Sequence, residues 1–423
     1  MKSKRKPGDT PRNTGPLTSR QALAELAVLR KETCSPSDHA GVYVGLEHID
    51  PGYFALKRHG ASAEVRSAKS RFHAGDVLYG KLRPYLDKAV VADFDGICST
   101  DILVLEPRGV PAWFLCGLLH TDRFIEHAKQ TTNGVNHPRT SWAGVNVFEV
   151  ARFSRTEQKN IAAVLLKIQR AIETQDRMIQ SLRDLKKSTM QHLFTHGLRG
   201  EKTKITEIGE IPESWDVVPL EIMGRVGNGS TPKKTNLAYW TNGTIPWLTS
   251  GKIHEGVIKA PDQFVSLKAK RECHLPTVRK GGLLIAITGQ GKTLGNAAIV
   301  DFDSTMSQHL AYVQPDNPDM YPPFIWHYLT TQYEALRQIG FGGGSTKGAL
   351  TCAALREYPV PRPRTFVEQK EVAKILTDLD AKNAVHKSKK TALQVLFKMA
   401  LNKLMSGGVR VRDLEIETAE VAG

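Results

Sequence analysis

Asn228-Gly229-Ser230-Thr231-Pro232-Lys233-Lys234 is a polar, basic loop set among aromatics, with Tyr239-Trp240 and Ile245-Pro246-Trp247-Leu248-Thr249-Ser250-Gly251 close behind it. Amide, hydroxyl and ammonium groups of this kind bond phosphates and base edges, while neighbouring rings hold the loop. Trp247 itself reads as a packed structural ring. A second run, Ala286-Ile287-Thr288-Gly289-Gln290-Gly291-Lys292-Thr293, follows a strand-like stretch and satisfies a relaxed phosphate-loop pattern, which would make the chain an NTPase. That chemistry needs a helix N-terminus whose backbone N–H groups face the phosphates. Leu294-Gly295-Asn296 and then Ala-Ala-Ile-Val-Asp follow instead, and the matching place earlier in the chain, Gly80-Lys81-Leu82-Arg83-Pro84, carries a proline, so a turn into another strand is expected. No His/Asp/Ser set or paired carboxylates stand out, and there is no DPPY or NPPY run of the kind an amino-methyltransferase needs. The residues point to binding rather than catalysis.

What must position these loops is visible as an internal duplication. Thr156-Glu157-Gln158-Lys159 opens a run ending at Gly197-Leu198-Arg199, and Val367-Glu368-Gln369-Lys370 opens one ending at Gly408-Val409-Arg410, 211 positions later and without a gap. Two copies, each following a long non-helical block, exclude a solenoid and give two halves, each a globular block followed by a long helix. In the first copy Ile161, Leu165, Ile168, Ile172, Ile179, Leu182 and Leu193 lie at helical, coiled-coil-like spacing. The second keeps Val372, Leu376, Leu379, Leu393, Leu396 and Leu404 but has Asn383, His386 and Lys390 at its centre. Gly197 and Gly407-Gly408 mark the helix ends. Each rod of about 40 residues is about 60 Å long and must pair to bury its seam.

Both blocks read as short β segments and then a helix. Asp76–Tyr79, Ala89–Val91 and Ile102–Leu105 in the first match Leu283–Ile287, Ala297–Val300 and Leu310–Val313 in the second, and the helices from Pro111 to about Lys129 and from Pro322 to about Ile339 correspond. Little else is shared.

The 423 residues suit two domains, and no apolar run approaches a membrane span. Five scattered cysteines without a CxxC fit reduced thiols in a cytoplasm and argue against a disulfide framework or a zinc site; Cys273-His274 is loop chemistry. The net charge of +15 is uneven. Residues 152–199 hold ten basic against four acidic, 362–411 eleven against four, and 1–20 six against one, whereas the two blocks are close to neutral. The excess lies on the helices and the N-terminal arm, where a protein lying along a polyanion would carry it.

These features together resemble the specificity subunit of type I restriction-modification systems. The resemblance rests on the Glu-Gln-Lys helix openings, the Ile211-Pro212-Glu213-Ser214-Trp215 entry to the second block, the Gly229–Trp247 stretch and Gly289–Gly295. It implies an α+β protein with two duplicated mixed α/β target-recognition domains joined by two long helices forming an antiparallel coiled coil. The expected layout is a disordered basic arm over 1–16, target-recognition domains over 17–151 and 200–361, long helices over 152–199 and 362–411, and an acidic tail over 412–423. In such a protein each domain reads one half of a split site in double-stranded DNA. The helices space the domains and dock two methyltransferase subunits, restriction subunits complete the complex, and the chain itself has no catalysis, cofactor or metal. Candidate DNA contacts in the first block are Lys81, Arg83, Tyr85, Asn133, Asn136, His137 and Arg139. In the second they are Thr231, Lys233, Lys234, Thr249, Gln290, Lys292, Thr293, Gln308, Ser345, Thr346 and Lys347. The seam residues named above are the docking candidates, and the connection Gly197–Lys202 is expected to help set the spacing of the domains.

Overall fold

A computed structural model describes residues 19–35, 41–289, 291–342 and 348–411. The basic arm, the acidic tail, Gln290, Ser345, Thr346 and Lys347 lie outside the described residues. The chain is α+β and forms two units. One runs to Arg177 and resumes at His386, and the other is Met178–Val385. Each unit therefore holds one globular block, part of the first long helix, Arg155–His196, and part of the second, Phe366–Met405.

In the first unit a four-stranded antiparallel sheet runs Ala27–Leu29, Ile102–Pro107, Val77–Gly80, Ala89–Val91. Its central strand reads as an unbroken apolar run because both faces are covered. Val77, Tyr79, Leu103 and Leu105 pack with the helix Ala112–Leu119 and the long helices, whereas Leu78, Val90, Ile102 and Val104 face a second core with Val44, Ile49 and Phe72. A mixed five-stranded sheet supplies that second layer, with Val42–Val44 parallel to Gly96–Cys98. The second unit repeats the order with Arg225–Asn228, Leu310–Gln314, Leu283–Ala286 and Ala297–Val300, and adds Val257–Ile258 in parallel at the edge. A separate three-stranded sheet of Gln263–Val265, Ile245–Leu248 and Thr305–Met306 packs on it through Leu248 and Met306.

The single helix expected after each sheet is two helices in both units. The first block breaks at Thr121, whose extended backbone and hydroxyl cap the helix Asp122–Gln130. The second breaks at Gln332, between Pro322–Thr331 and Tyr333–Phe341. Thr121-Asp122 is a helix-start pattern in the sequence, whereas Gln332 makes no side-chain cap bond and marks no such start.

The long helices are antiparallel within each unit. In the first, Glu157 meets Arg410, Asn160 Nδ2 donates to Val411 O at 2.7 Å, and Gln175 meets His386 at 2.8 Å. In the second, Lys186 meets Asp380 at 2.7 Å, and Met190, Leu193 and Phe194 share a core with Val372, Ala373 and Leu376. The Glu-Gln pair that opens each helix is held by polar bonds, in the first unit to the chain beyond the second helix and in the second to the globular block. Glu157 is buried and receives both Nε and Nη2 of Arg410 at 2.6 and 2.7 Å, and Gln158 Nε2 donates to Phe153 O. At the equivalent positions Glu368 accepts from Trp215 Nε1 at 3.0 Å, and Gln369 bonds Tyr321 N and Asp319 O. This explains the role of the Ile211–Trp215 entry: Trp215 is fully buried and anchors the second block to its helix.

The seam needs one correction. Ile161, Leu165, Ile172, Ile179, Leu193, Val372, Leu376 and Leu404 are buried, and Ile168, Leu182, Leu379 and Leu393 are partly buried, but Leu396 is 51% exposed and Phe397 takes its place at 7%. The inward positions after Leu393 step by four to Phe397 and Leu401, because 3.6 residues per turn carry Leu396 off the face. The polar centre does not interrupt the helix: His386 meets Gln175, Lys390 meets Asp176 at 2.5 Å, and Tyr53 donates to the same carboxylate at 2.8 Å. Gly197, at φ 66°, ends the first long helix as expected, but Gly197–Lys202 lies wholly inside the second unit. Both helices instead cross from one unit to the other without a break, at 177/178 and 385/386.

Candidate nucleic-acid interface

In the first unit two loops are laced into one platform. Lys81 N donates to Asp101 O at 2.9 Å, Thr140 N to Lys81 O at 3.0 Å, and Arg83 N to Pro138 O at 2.8 Å. Asn133 and Arg139 exchange backbone bonds at 2.9 and 3.0 Å, closing the loop Gly134–Pro138 between them. Arg83 is held at φ 51°, a left-handed backbone uncommon for a side chain of this size. Arg83, Asn133, Asn136, His137 and Arg139 are exposed there and Lys81 is half-buried. The Arg139 guanidinium is committed to Asp101, Nε to Oδ1 at 2.8 Å and Nη2 to Oδ2 at 3.2 Å, and this fork holds the Asp101 carboxyl below its usual range. Tyr85 differs from the others: half-exposed, it lines a cavity with Tyr53 and His120.

In the second unit the basic loop is held by its aromatics as the sequence indicates. Trp247 Nε1 donates to Ser230 O and Trp240 Nε1 to Lys233 O, both at 3.2 Å, with the two rings edge to face. Trp247 is buried, so its part is structural. Lys233 and Lys234 stay exposed, and Thr231 Oγ1 accepts from the backbone of exposed Gln308 at 3.4 Å. Thr249 is spent on a turn, its hydroxyl donating to Asp262 at 2.7 Å. The Ala286–Asn296 run is a turn between antiparallel strands, tied by Gly295 N to Ala286 O, by Asn296 Nδ2 to Lys292 O and by Tyr333 OH to Lys292 O. A strand follows it, so no helix N-terminus faces the loop and the phosphate-loop reading is set aside. Exposed Lys292 and half-buried Thr293 remain at its rim, the latter 3.3 Å from His254 Nε2. Residue-by-residue reading missed Asp101, Thr288 and His309; Thr288 Oγ1 and His309 Nδ1 lie 2.6 Å apart. The available signal was position, because Asp101 and His309 each stand directly before the apolar strand of their block.

Each unit also has a cavity between its helical layer and the long helices. That of the second, about 710 Å³, is lined by Lys186, Lys187, Met190, Asp380 and Asn383 among others. That of the first, about 400 Å³, is lined by Phe397, Lys398, Leu401, Gln169 and Ile172. These are the same five places, 211 positions apart.

Residues 212–395 match the family model for the type I restriction modification DNA specificity domain. The putative type I restriction enzyme MjaX specificity subunit of Methanocaldococcus jannaschii is 26% identical over 362 residues, 82% of this chain and 81% of the relative. The chain is thus similar to type I specificity subunits over most of its length, and its second half to their DNA specificity domain. A second relative from that organism, the MjaIX specificity subunit, is 31% identical over 202 residues, 47% of this chain and 44% of the relative. The fold is shared with the crystal structure of the type I restriction-modification system S subunit from M. genitalium, with TM-score 0.60 and 16% identity, covering 94% of this chain and 98% of that one. No helix among the described residues is long and apolar enough to cross a membrane.

Proposed function

We propose that the chain is the non-catalytic DNA-reading subunit of a type I restriction-modification complex, each unit reading one half of a bipartite, non-palindromic site. The observation that carries this reading is the pairing of a common scaffold with different exposed loops. Lys81–Tyr85 and Thr132–Arg139 in one unit stand where the turn Thr288–Thr293 and the segment before Leu350 stand in the other. A repeated frame with divergent polar loops suits two different recognition tasks, in which base contacts specify and lysines position the backbone. The partners are double-stranded DNA and the modification and restriction subunits. Two methyltransferase subunits dock, one on each half, and what supports two is the occurrence of the same cavity at equivalent places of both repeats. The long helices hold the two readers at a set spacing. The test is to assay the chain alone and then with its methyltransferase. Alone it transfers no methyl group and hydrolyses no ATP; together they methylate a split motif. Catalysis by the isolated chain contradicts the reading.

A further inference from the structure

The two platforms share a backbone register. Lys81 N donates to Asp101 O, and Ile287 N donates to His309 O at 3.0 Å. Thr140 N donates to Lys81 O, and Leu350 N to Ile287 O at 2.8 Å. Leu82 bridges Arg139, and Thr288 bridges Ala349. Five positions thus correspond: Lys81 with Ile287, Leu82 with Thr288, Asp101 with His309, Arg139 with Ala349 and Thr140 with Leu350. The backbone is the same and the polar side chains are exchanged. The first unit places a carboxylate before the strand and an arginine across from it. The second has an imidazole before the strand, alanine where the arginine stood, and a hydroxyl at the place of Leu82.

We propose that these positions determine specificity: Arg139, positioned by Asp101, reads a guanine in the first half-site, and His309, positioned by Thr288, reads a purine in the second. This rests on the reading of each unit as a half-site reader. The chemistry follows from which edges are occupied. Asp101 takes the side edge of the guanidinium, Nε and Nη2, and among the described residues only a 3.3 Å contact from Nη1 to His137 O touches its end. The end-on edge, Nη1 with Nη2, is the fork that matches guanine O6 and N7. Arg139 is 44% exposed at its side chain, so a base edge can approach it while the carboxylate stops it from swinging to a phosphate. In the second unit, a Thr288 hydroxyl donating to Nδ1 leaves Nε2 protonated, a donor suited to purine N7. Loops that merely needed fastening would not require a different polar pair on an unchanged backbone.

The test uses the full chain with its methyltransferase partner, in competition binding against duplexes carrying each base at each position of the methylated motif. Arg139→Lys keeps the charge and loses the fork, so discrimination at one guanine of the first half-site falls by about tenfold or more while the salt dependence stays unchanged. Asp101→Asn relaxes the same position by a smaller factor. His309→Ala and Thr288→Val relax one purine of the second half-site and leave the first intact. The untouched half-site in each variant reports that the molecule is folded. If every position of a half-site weakens together, or base preferences stay unaltered, the pairs are only fasteners and the proposal is overturned. A wild-type complex with no defined sequence preference would instead defeat the half-site reading on which the proposal stands.

Discussion

Removing one partner from a buried ion pair leaves a charge that neither water nor protein satisfies, and Glu157 with Arg410 is the clearest such pair here, with the carboxylate side chain 2% exposed. Arg410→Ala is expected to destabilise the first unit by about 3–5 kcal/mol, measured by urea unfolding, with Arg410→Ala/Glu157→Gln partly restored. Two buried histidines give opposite pH responses. Burial, with Lys186 nearby, pushes His327 down to about 3. Between about pH 6.5 and 3 the unfolded chain therefore binds a proton the folded one does not, and stability falls as pH drops through that window. Burial acts the same way on His120, but the Asp87 carboxylate and Cys116 outweigh it and raise the ring to about 10. Its contribution is complete below about pH 6.5 and is lost as pH rises toward 10. Unfolding at pH 5, 7 and 9 should show His327→Leu flattening the acid limb and His120→Gln the alkaline limb; unchanged limbs would mean other groups set them. At this scale the sequence displayed Glu157 and Glu368 as equivalent. It did not show that one would meet an arginine 253 positions away and the other the Trp215 indole, because such contacts depend on tertiary closure.

Among the elements, the long helices were legible from spacing and glycine stops, and the strands from apolar runs that recur in both blocks. What spacing could not carry was phase across a polar centre. Counting from Leu393 by three reaches Leu396, whereas the helix, with His386 and Lys390 facing inward, continues by four to Phe397. Phe397 packs edge to face on Phe54 at 5.1 Å. Phe397→Ala should cost about 3–5 kcal/mol and Leu396→Ala within about 0.5 kcal/mol, in the same urea titration; equal costs would return the seam to Leu396. Gly197–Lys202 lies within one unit, so the proposed spacing role is tested on the unbroken helices. Seven residues inserted in each helix, between Arg177 and Met178 and between Val385 and His386, lengthen both by about 10 Å and keep the seam nearly in phase. The unread spacer of the methylated motif should grow by about three base pairs, at 3.4 Å each, with both half-sites unaltered. An unaltered spacer would remove the ruler role from the helices.

For the whole molecule, the duplication made two halves legible, but not how the chain is partitioned between them. Each unit takes its own block plus a stretch of both long helices, so the second helix, last in sequence, supplies Phe397, Leu401, Leu404 and Met405 to the first unit's core. The charge excess on the helices and arm, set against near-neutral blocks, suits long-range attraction to DNA with base selection left to a few loop residues. Lys233→Ala and Lys234→Ala should accordingly weaken binding to all sequences alike, each lowering the slope of log affinity against log salt by about one. Each block is proposed to be an independent reader of one half-site. Replacing residues 17–150 with those of a similar specificity subunit, and mapping the methylated bases of the reconstituted complex, tests this. One half of the motif should change while the other half and the spacer stay as they were; a change in both halves, or in neither, would mean that the blocks are not independent readers.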